Sequence, residues 1–260
     1  MFYQLKGSKS PDAPLVVLSS GLGGSADFWQ SQFPALETDF RVFVYDQLGT
    51  GRTPGKLPDD YSIDSMASEL LELLKELGVT QCHFVGHALG GLVGLKLALQ
   101  SPGILQSMVL INAWSSPNPH TLRCFHVRKS ILNNCEPEIY LQTQAILLYP
   151  PDWIADNAEK LQQQEQLRAK AFPDRDNLLL RIKALSEFDV DEELKSISIN
   201  TLLIANKDDV LVPWQRSKVL LEGLPNAKLE LLDYGGHACT LTVTKRFNEL
   251  LRSHLRLAAQ

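Results

Sequence analysis

The stretch Val85-Gly86-His87-Ala88-Leu89-Gly90-Gly91 restricts what this chain can become more than any other segment. It follows an apolar run and opens an apolar helix, the pattern of a strand that turns sharply into a helix and throws one side chain to the top of a sheet. Gly86 and Gly90 suit such a turn, because tight backbone and close helix-to-strand packing leave no room for a side chain. Elbows of this kind carry a nucleophile at the middle position. Here that position is Ala88, a methyl group that attacks nothing.

At 260 residues the chain has the length of one large α/β domain with an inserted subdomain. Charged residues make up 21% of the chain and the formal net charge is −5, which gives no electrostatic case for nucleic acid or an anionic membrane. A small-molecule substrate is the expected partner, and the sequence leaves a homodimer open. The start lacks a basic region followed by an apolar stretch and a cleavage site, and no apolar run is long enough to span a bilayer. A cytoplasmic protein is expected. Cys82, Cys124, Cys135 and Cys239 show neither paired nor metal-ligand spacing, so they read as thiols, with no metal and no cofactor expected.

Along the chain, strands and helices alternate. Pro14 to Ser20 reads as a buried strand that empties into Gly21-Leu22-Gly23-Gly24-Ser25, and a short helix is expected over Phe28 to Leu36. Phe40 to Tyr45 is a second strand ending at Asp46-Gln47-Leu48-Gly49-Thr50-Gly51-Arg52. Met66, Leu70, Leu71, Leu73, Leu74 and Leu77 have helical spacing, stopped by Gly78. Gln81 to Val85 feeds the elbow, Leu92 to Leu99 leaves it, and Gln106 to Asn112 is the next strand. Alternation then lapses. Residues 113–194 are richer in polar residues and proline, with helices expected around Leu122 to Leu132, Pro137 to Leu148, Asn157 to Ala171 and Leu178 to Lys183. This segment reads as an inserted helical cap on a core of residues 1–112 and 195–260. Strands at Thr201 to Ala205 and Lys228 to Asp233, a helix running through Leu221 and a closing helix over Thr244 to Leu255 complete a mostly parallel, twisted sheet with helices on both faces.

Four motifs in order carry a resemblance across nearly the whole chain: Ser20-Gly21-Leu22-Gly23-Gly24-Ser25, Tyr45 to Gly51, the Gly86 to Gly91 elbow, and an acid loop followed by Gly235-Gly236-His237. Together they resemble the α/β-hydrolase superfamily. At closer range, the elbow, Asn112-Ala113-Trp114, His120 to Phe125 and Tyr234 to Cys239 resemble its pyrimidine-utilisation branch, in which alanine at the elbow occurs. That resemblance implies a cofactor-free amidohydrolase acting after uracil ring opening, on carbamate or 3-aminoacrylate, with release of ammonia.

The resemblance also implies site roles. His237 matches the base and Asp209, four positions before Pro213, the acid that orients it; Asp208 is the alternative acid, or a turn residue. The backbone N–H groups of Leu22 and Leu89 match the oxyanion hole, which needs no particular side chain. With no hydroxyl at Ala88, His237 is expected to activate water or deliver a proton directly. His87, Trp114, His120 and Arg123 are candidates to face the pocket, Arg123 as a carboxylate partner; packing beneath the elbow, for His87, or cap-to-sheet contact is the competing account. Ser20, Ser25, Cys124 and Cys239 border the site without lying on an elbow, so a substitute nucleophile is not expected. Asp46 and Arg52 are expected to hold loops. Two other classes stand beside the hydrolase: a cofactor-free lyase, and a ligand-binding pseudoenzyme on the same fold.

Overall fold

The computed structural model describes residues 1–10 and 12–259. Its sheet is built from β1 (Tyr3–Gly7), β2 (Leu15–Ser19), β3 (Arg41–Tyr45), β4 (Cys82–His87), β5 (Leu105–Ile111), β6 (Thr201–Asn206) and β7 (Ala227–Leu232). The helices are α1 (Phe33–Leu36), α2 (Ile63–Glu76), α3 (Leu89–Gln100), α4 (Pro119–Asn134), α5 (Pro137–Leu148), α6 (Pro151–Asp156), α7 (Ala158–Lys170), α8 (Arg175–Glu187), α9 (Gln215–Gly223), α10 (Cys239–Thr242) and α11 (Thr244–Ala258). Strand order is β1-β3-β2-β4-β5-β6-β7, with every pairing parallel except that of β1 with β3.

Side chains alternate across this sheet with a period of two. Leu15, Val17, Phe43 and Phe84 face one apolar layer with Met66, Leu70 and Leu74 of α2 and Leu92 of α3. Val16, Leu18, Val42, Val44 and Val85 face the other, with Trp29, Phe33, Phe247, Leu251 and Leu255. Both faces are covered, which is why the inner strands read as continuous apolar runs. The α2 stripe matches its helical spacing except at the end, where Leu77 is exposed. Ser62 and Ser65 close a reciprocal capping box at its start.

Several elements differ from the sequence reading. β1 adds an antiparallel edge whose burial hardly alternates, with Leu5 exposed, so no pattern announced it. The helix expected over Phe28 to Leu36 is a 3₁₀ segment, Ala26–Gln32, that passes into α1. Between β5 and β6 lie all five helices α4 to α8, of which α6 was not anticipated. Among the described residues, no helix is long and apolar enough to cross a membrane.

β4 sits centrally, flanked by β2 and β5, so the loops leaving those strands border whatever β4 presents. At its end a Cβ on Gly86 would overlap the carbonyl of Gly90, and a Cβ on Gly90 the carbonyl oxygen of Ser19 in β2. Replacing Gly90 with alanine therefore pushes α3 off β2. Gly90→Ala should cost more than about 3 kcal/mol of unfolding free energy in urea, beyond an ordinary surface change. A loss below about 0.5 kcal/mol would contradict this packing.

Candidate active site

The elbow holds Ala88 at φ 48 and ψ −113, conformational space that L residues rarely occupy. Its amide donates to the Ile111 carbonyl at 2.8 Å, and its own carbonyl accepts from Gly91 at 2.8 Å. The methyl group stands at the junction of strand and helix with 6% of its surface exposed. Leu89 begins α3, and Leu22 lies in the loop after β2. Among the described residues, no backbone or side-chain acceptor takes either amide, so both donors are free for a ligand.

His237 follows β7 on a loop shaped by Gly235 at φ 140 and Gly236 at φ 61. Two adjacent acids divide the work there. Asp208 accepts the amides of Gly235 at 3.0 Å and Gly236 at 2.9 Å, fixing the loop that delivers the histidine. Asp209 accepts His237 Nδ1 at 2.7 Å through one oxygen, and the amides of Leu211 and Val212 at 2.8 and 2.9 Å through the other. The structure thus brings Asp209, and not Asp208, to the ring. With Nδ1 donating to a carboxylate, Nε2 is the ring position left to exchange protons. Nε2 has no protein partner among the described residues, and the residue is 3% exposed.

The carbonyl of His237 is held as well. His87 Nε2 donates to it at 2.8 Å, and Asn112 Nδ2 donates at 2.8 Å. Asn112 has φ 47, and its Oδ1 accepts from Asn206 at 3.3 Å, linking the ends of β5 and β6 to the histidine loop. Sequence reasoning missed Asn112 as a site residue, since an asparagine at a strand end is an ordinary turn residue. The one signal was its place at the end of the strand beside the elbow.

Several expected pocket residues do other work. His87, a candidate for the pocket or for packing, lies against Phe28 and the edge of His237. Burial and then the neighbouring His237 push its pKa down to about 3, so it stays a neutral donor. His120 donates from Nε2 to the Val210 carbonyl at 2.7 Å, tying α4 to the acid loop. Arg123 is exposed, because the buried stripe of α4 runs through Thr121, Phe125, Arg128 and Leu132, and position 123 falls on the far side. Trp114 is buried against Phe125 with its indole N–H unpartnered.

The alternative nucleophiles are poorly placed. Ser25 caps the 3₁₀ segment, and Ser20 Oγ is buried without a partner. Burial pushes Cys239 up to about 12 and raises Cys124, so both keep their thiol protons. Asp46 accepts the Ala26 amide and grips Arg52 at 2.8 Å, holding the loops after β2 and β3 together. Burial raises the Asp46 carboxyl, but the Arg52 guanidinium and the two amides outweigh it and hold it below the usual range. Among the described residues, no cluster suited to a metal ion is present.

Residues 14–131 match the family model described as "alpha/beta hydrolase fold". The protein named "Putative carbamate hydrolase RutD" from Stutzerimonas stutzeri is 57% identical over 98% of this chain and 96% of its own length. Its namesake from Pseudomonas savastanoi is 56% identical over 98% of each. Among solved structures, the α/β-hydrolase enzyme MGS-M2 from a Medee basin deep-sea metagenome library aligns with a TM-score of 0.89 at 23% identity, over 96% of this chain and 92% of its own.

The division between the two acids is directly testable. A short hydrogen bond to a carboxylate moves a histidine ring proton far downfield in ¹H NMR. Asp209→Asn should remove the His237 Nδ1–H signal, while Asp208→Asn should keep it. Loss in the second variant and retention in the first would reverse the assignment.

Proposed function

The chain belongs to the RutD family of proteins with the α/β-hydrolase fold, and from that premise we propose that it breaks down carbamate by handing a proton to the substrate nitrogen, with no acyl-enzyme. The observation that carries this reading is the His237–Asp209 contact of 2.7 Å in a chain whose elbow holds a methyl where a nucleophile would stand. A pocket that had lost its chemistry has no use for an oriented base. A serine enzyme would have kept its hydroxyl.

In this mechanism a carbamate oxygen accepts the amides of Leu22 and Leu89, which hold the carboxylate and turn the nitrogen toward His237 Nε2. The imidazolium, stabilised by Asp209, gives its Nε2 proton to nitrogen. The C–N bond then breaks with its electron pair leaving on nitrogen, so H₂N–CO₂⁻ plus one proton becomes ammonia and carbon dioxide. Water restores the proton to the ring. Ala88 matters because its small side chain leaves room for the substrate nitrogen beside the imidazole. Triad enzymes stripped of the nucleophile retain roughly 10³ to 10⁴ of acceleration from a hole that meets charge building up on oxygen; the carbamate oxygens instead lose charge, so here the two amides orient the substrate and the proton from His237 supplies the acceleration. For a substrate that decomposes unaided by the same protonation, that is sufficient. Such a reaction belongs in the cytoplasmic catabolism of pyrimidines such as uracil.

Carbamate decay timed in the cold, with and without protein, tests the proposal, and 3-aminoacrylate decay in parallel tests the alternative substrate. The intact chain should speed carbamate loss, and His237→Ala should return it to the unaided rate. Equal acceleration by the variant would remove His237 from the mechanism. Ala88→Ser should become acylated by an activated ester, seen as a gain in mass; an inert variant would contradict an intact oxyanion hole.

A further inference from the structure

The acidic substrate proposed above needs a cation, and the cation expected from the sequence, Arg123, is exposed on the far face of α4. A different arginine is in position. Arg181 lies on the buried face of α8 with Asn177, Leu178, Ile182 and Leu185, and 0% of its surface is exposed. Its Nε donates to the carbonyl of Leu22 at 3.2 Å, and Nη2 donates to Gln47 Oε1. Nη1 is buried with no partner.

A guanidinium carries five N–H donors and a full charge, and burying it without an anion is among the most costly arrangements a protein can hold. The other arginine–aspartate contacts show what compensation looks like: Arg52 lies on Asp46, and Arg252 and Arg256 on Asp39. Among the described residues, no carboxylate lies within 4 Å of Arg181. Glu69, whose charge reaches it, spends Oε2 on the Tyr61 hydroxyl at 2.9 Å. Arg181 is touched by neutral acceptors alone. The second buried arginine, Arg128, differs, since it spans two cap helices by donating to the Tyr140 hydroxyl at 2.7 Å and lying over the Tyr140 ring.

Location gives the unfilled charge its meaning. Leu22 accepts from Arg181 through its carbonyl, and its amide is the donor assigned above to the substrate, so one residue joins the guanidinium to the proposed reacting centre. α8 is fixed there by Asn177, which donates to the Gly55 carbonyl at 2.8 Å and accepts the Leu57 amide at 3.0 Å. Gln47 completes the wall, with Nε2 donating to the Ser20 carbonyl at 2.9 Å. Ser20 Oγ and Trp114 Nε1, both buried and unpartnered, follow β2 and β5, the strands on either side of the elbow.

We propose that Arg181 is the receptor for the substrate's carboxylate, presenting its unpaired Nη1 to a small monoanionic acid held between the cap helix α8 and the Leu22 loop. Which acid it is rests on the carbamate reading; the anion site itself does not. Because the carboxylate charge is lost as carbon dioxide forms, the grip acts on the bound substrate more than on bond breaking. Losing Arg181 should therefore raise KM without lowering kcat.

Acetate, which replaces the carbamate amino group with a methyl, and acetamide, its uncharged counterpart, are the probes. On the intact chain labelled with ¹⁵N-arginine, acetate should shift the Arg181 guanidinium resonances and acetamide should not. Arg181→Gln should weaken acetate binding at least about tenfold and raise KM for carbamate by a similar factor without lowering kcat. If that variant fails to fold, the resonances of the unaltered chain decide alone. Acetate that leaves those resonances in place, or that binds Arg181→Gln equally well, would overturn the assignment. Arg181-dependent acetate binding by a chain that does not speed carbamate loss would keep the anion site and discard the hydrolase; faster carbamate loss with an unchanged KM in Arg181→Gln would do the reverse.

Discussion

An alanine held at φ 48 at the top of the central strand is the constraint that the rest of the site depends on. Such a residue costs of order 1 to 3 kcal/mol and persists because its surroundings over-determine it. Gly86 and Gly90 admit only a strand and helix pressed together, and the Ala88 amide is fixed to β5. Strain of this kind in other elbows serves to expose a nucleophile. Here it sets a methyl at that position, directly before the first residue of α3.

Opposite the elbow, the histidine loop is held at every point where it could drift. Asp208 takes two of its amides, His87 and Asn112 take the His237 carbonyl, and Asp209 takes the ring. The helices between β5 and β6 join the same loop, since the Leu148 carbonyl at the end of α5 accepts the Ala238 amide at 3.0 Å. Rigid placement of a proton-transferring group is what a reaction without a covalent intermediate requires, because nothing else holds the substrate in line. Within that well-anchored loop the His237–Asp209 pair stands without a hydroxyl at the elbow.

The elbow, the glycine loops and the His237–Asp209 pair were legible in the sequence because each depends on residue types that few others can replace over a short stretch. What escaped was set by distant packing. β1 is a half-solvated edge with no apolar alternation, and Asn112 looks like any turn residue until its amide is seen on the His237 carbonyl. Arg123, expected to meet a carboxylate, is turned outward by the phase of α4, and Arg181 drew no notice because its place under the Leu22 loop is set by how α8 packs.

The first product formed from carbamate in ¹⁸O-labelled water tests most directly whether His237 delivers a proton rather than activating a nucleophile. Proton delivery to nitrogen releases carbon dioxide whose oxygens both come from carbamate, with no mass gained by the protein. Bicarbonate carrying one solvent oxygen as the first product, or a carbamoylated chain, would contradict the account.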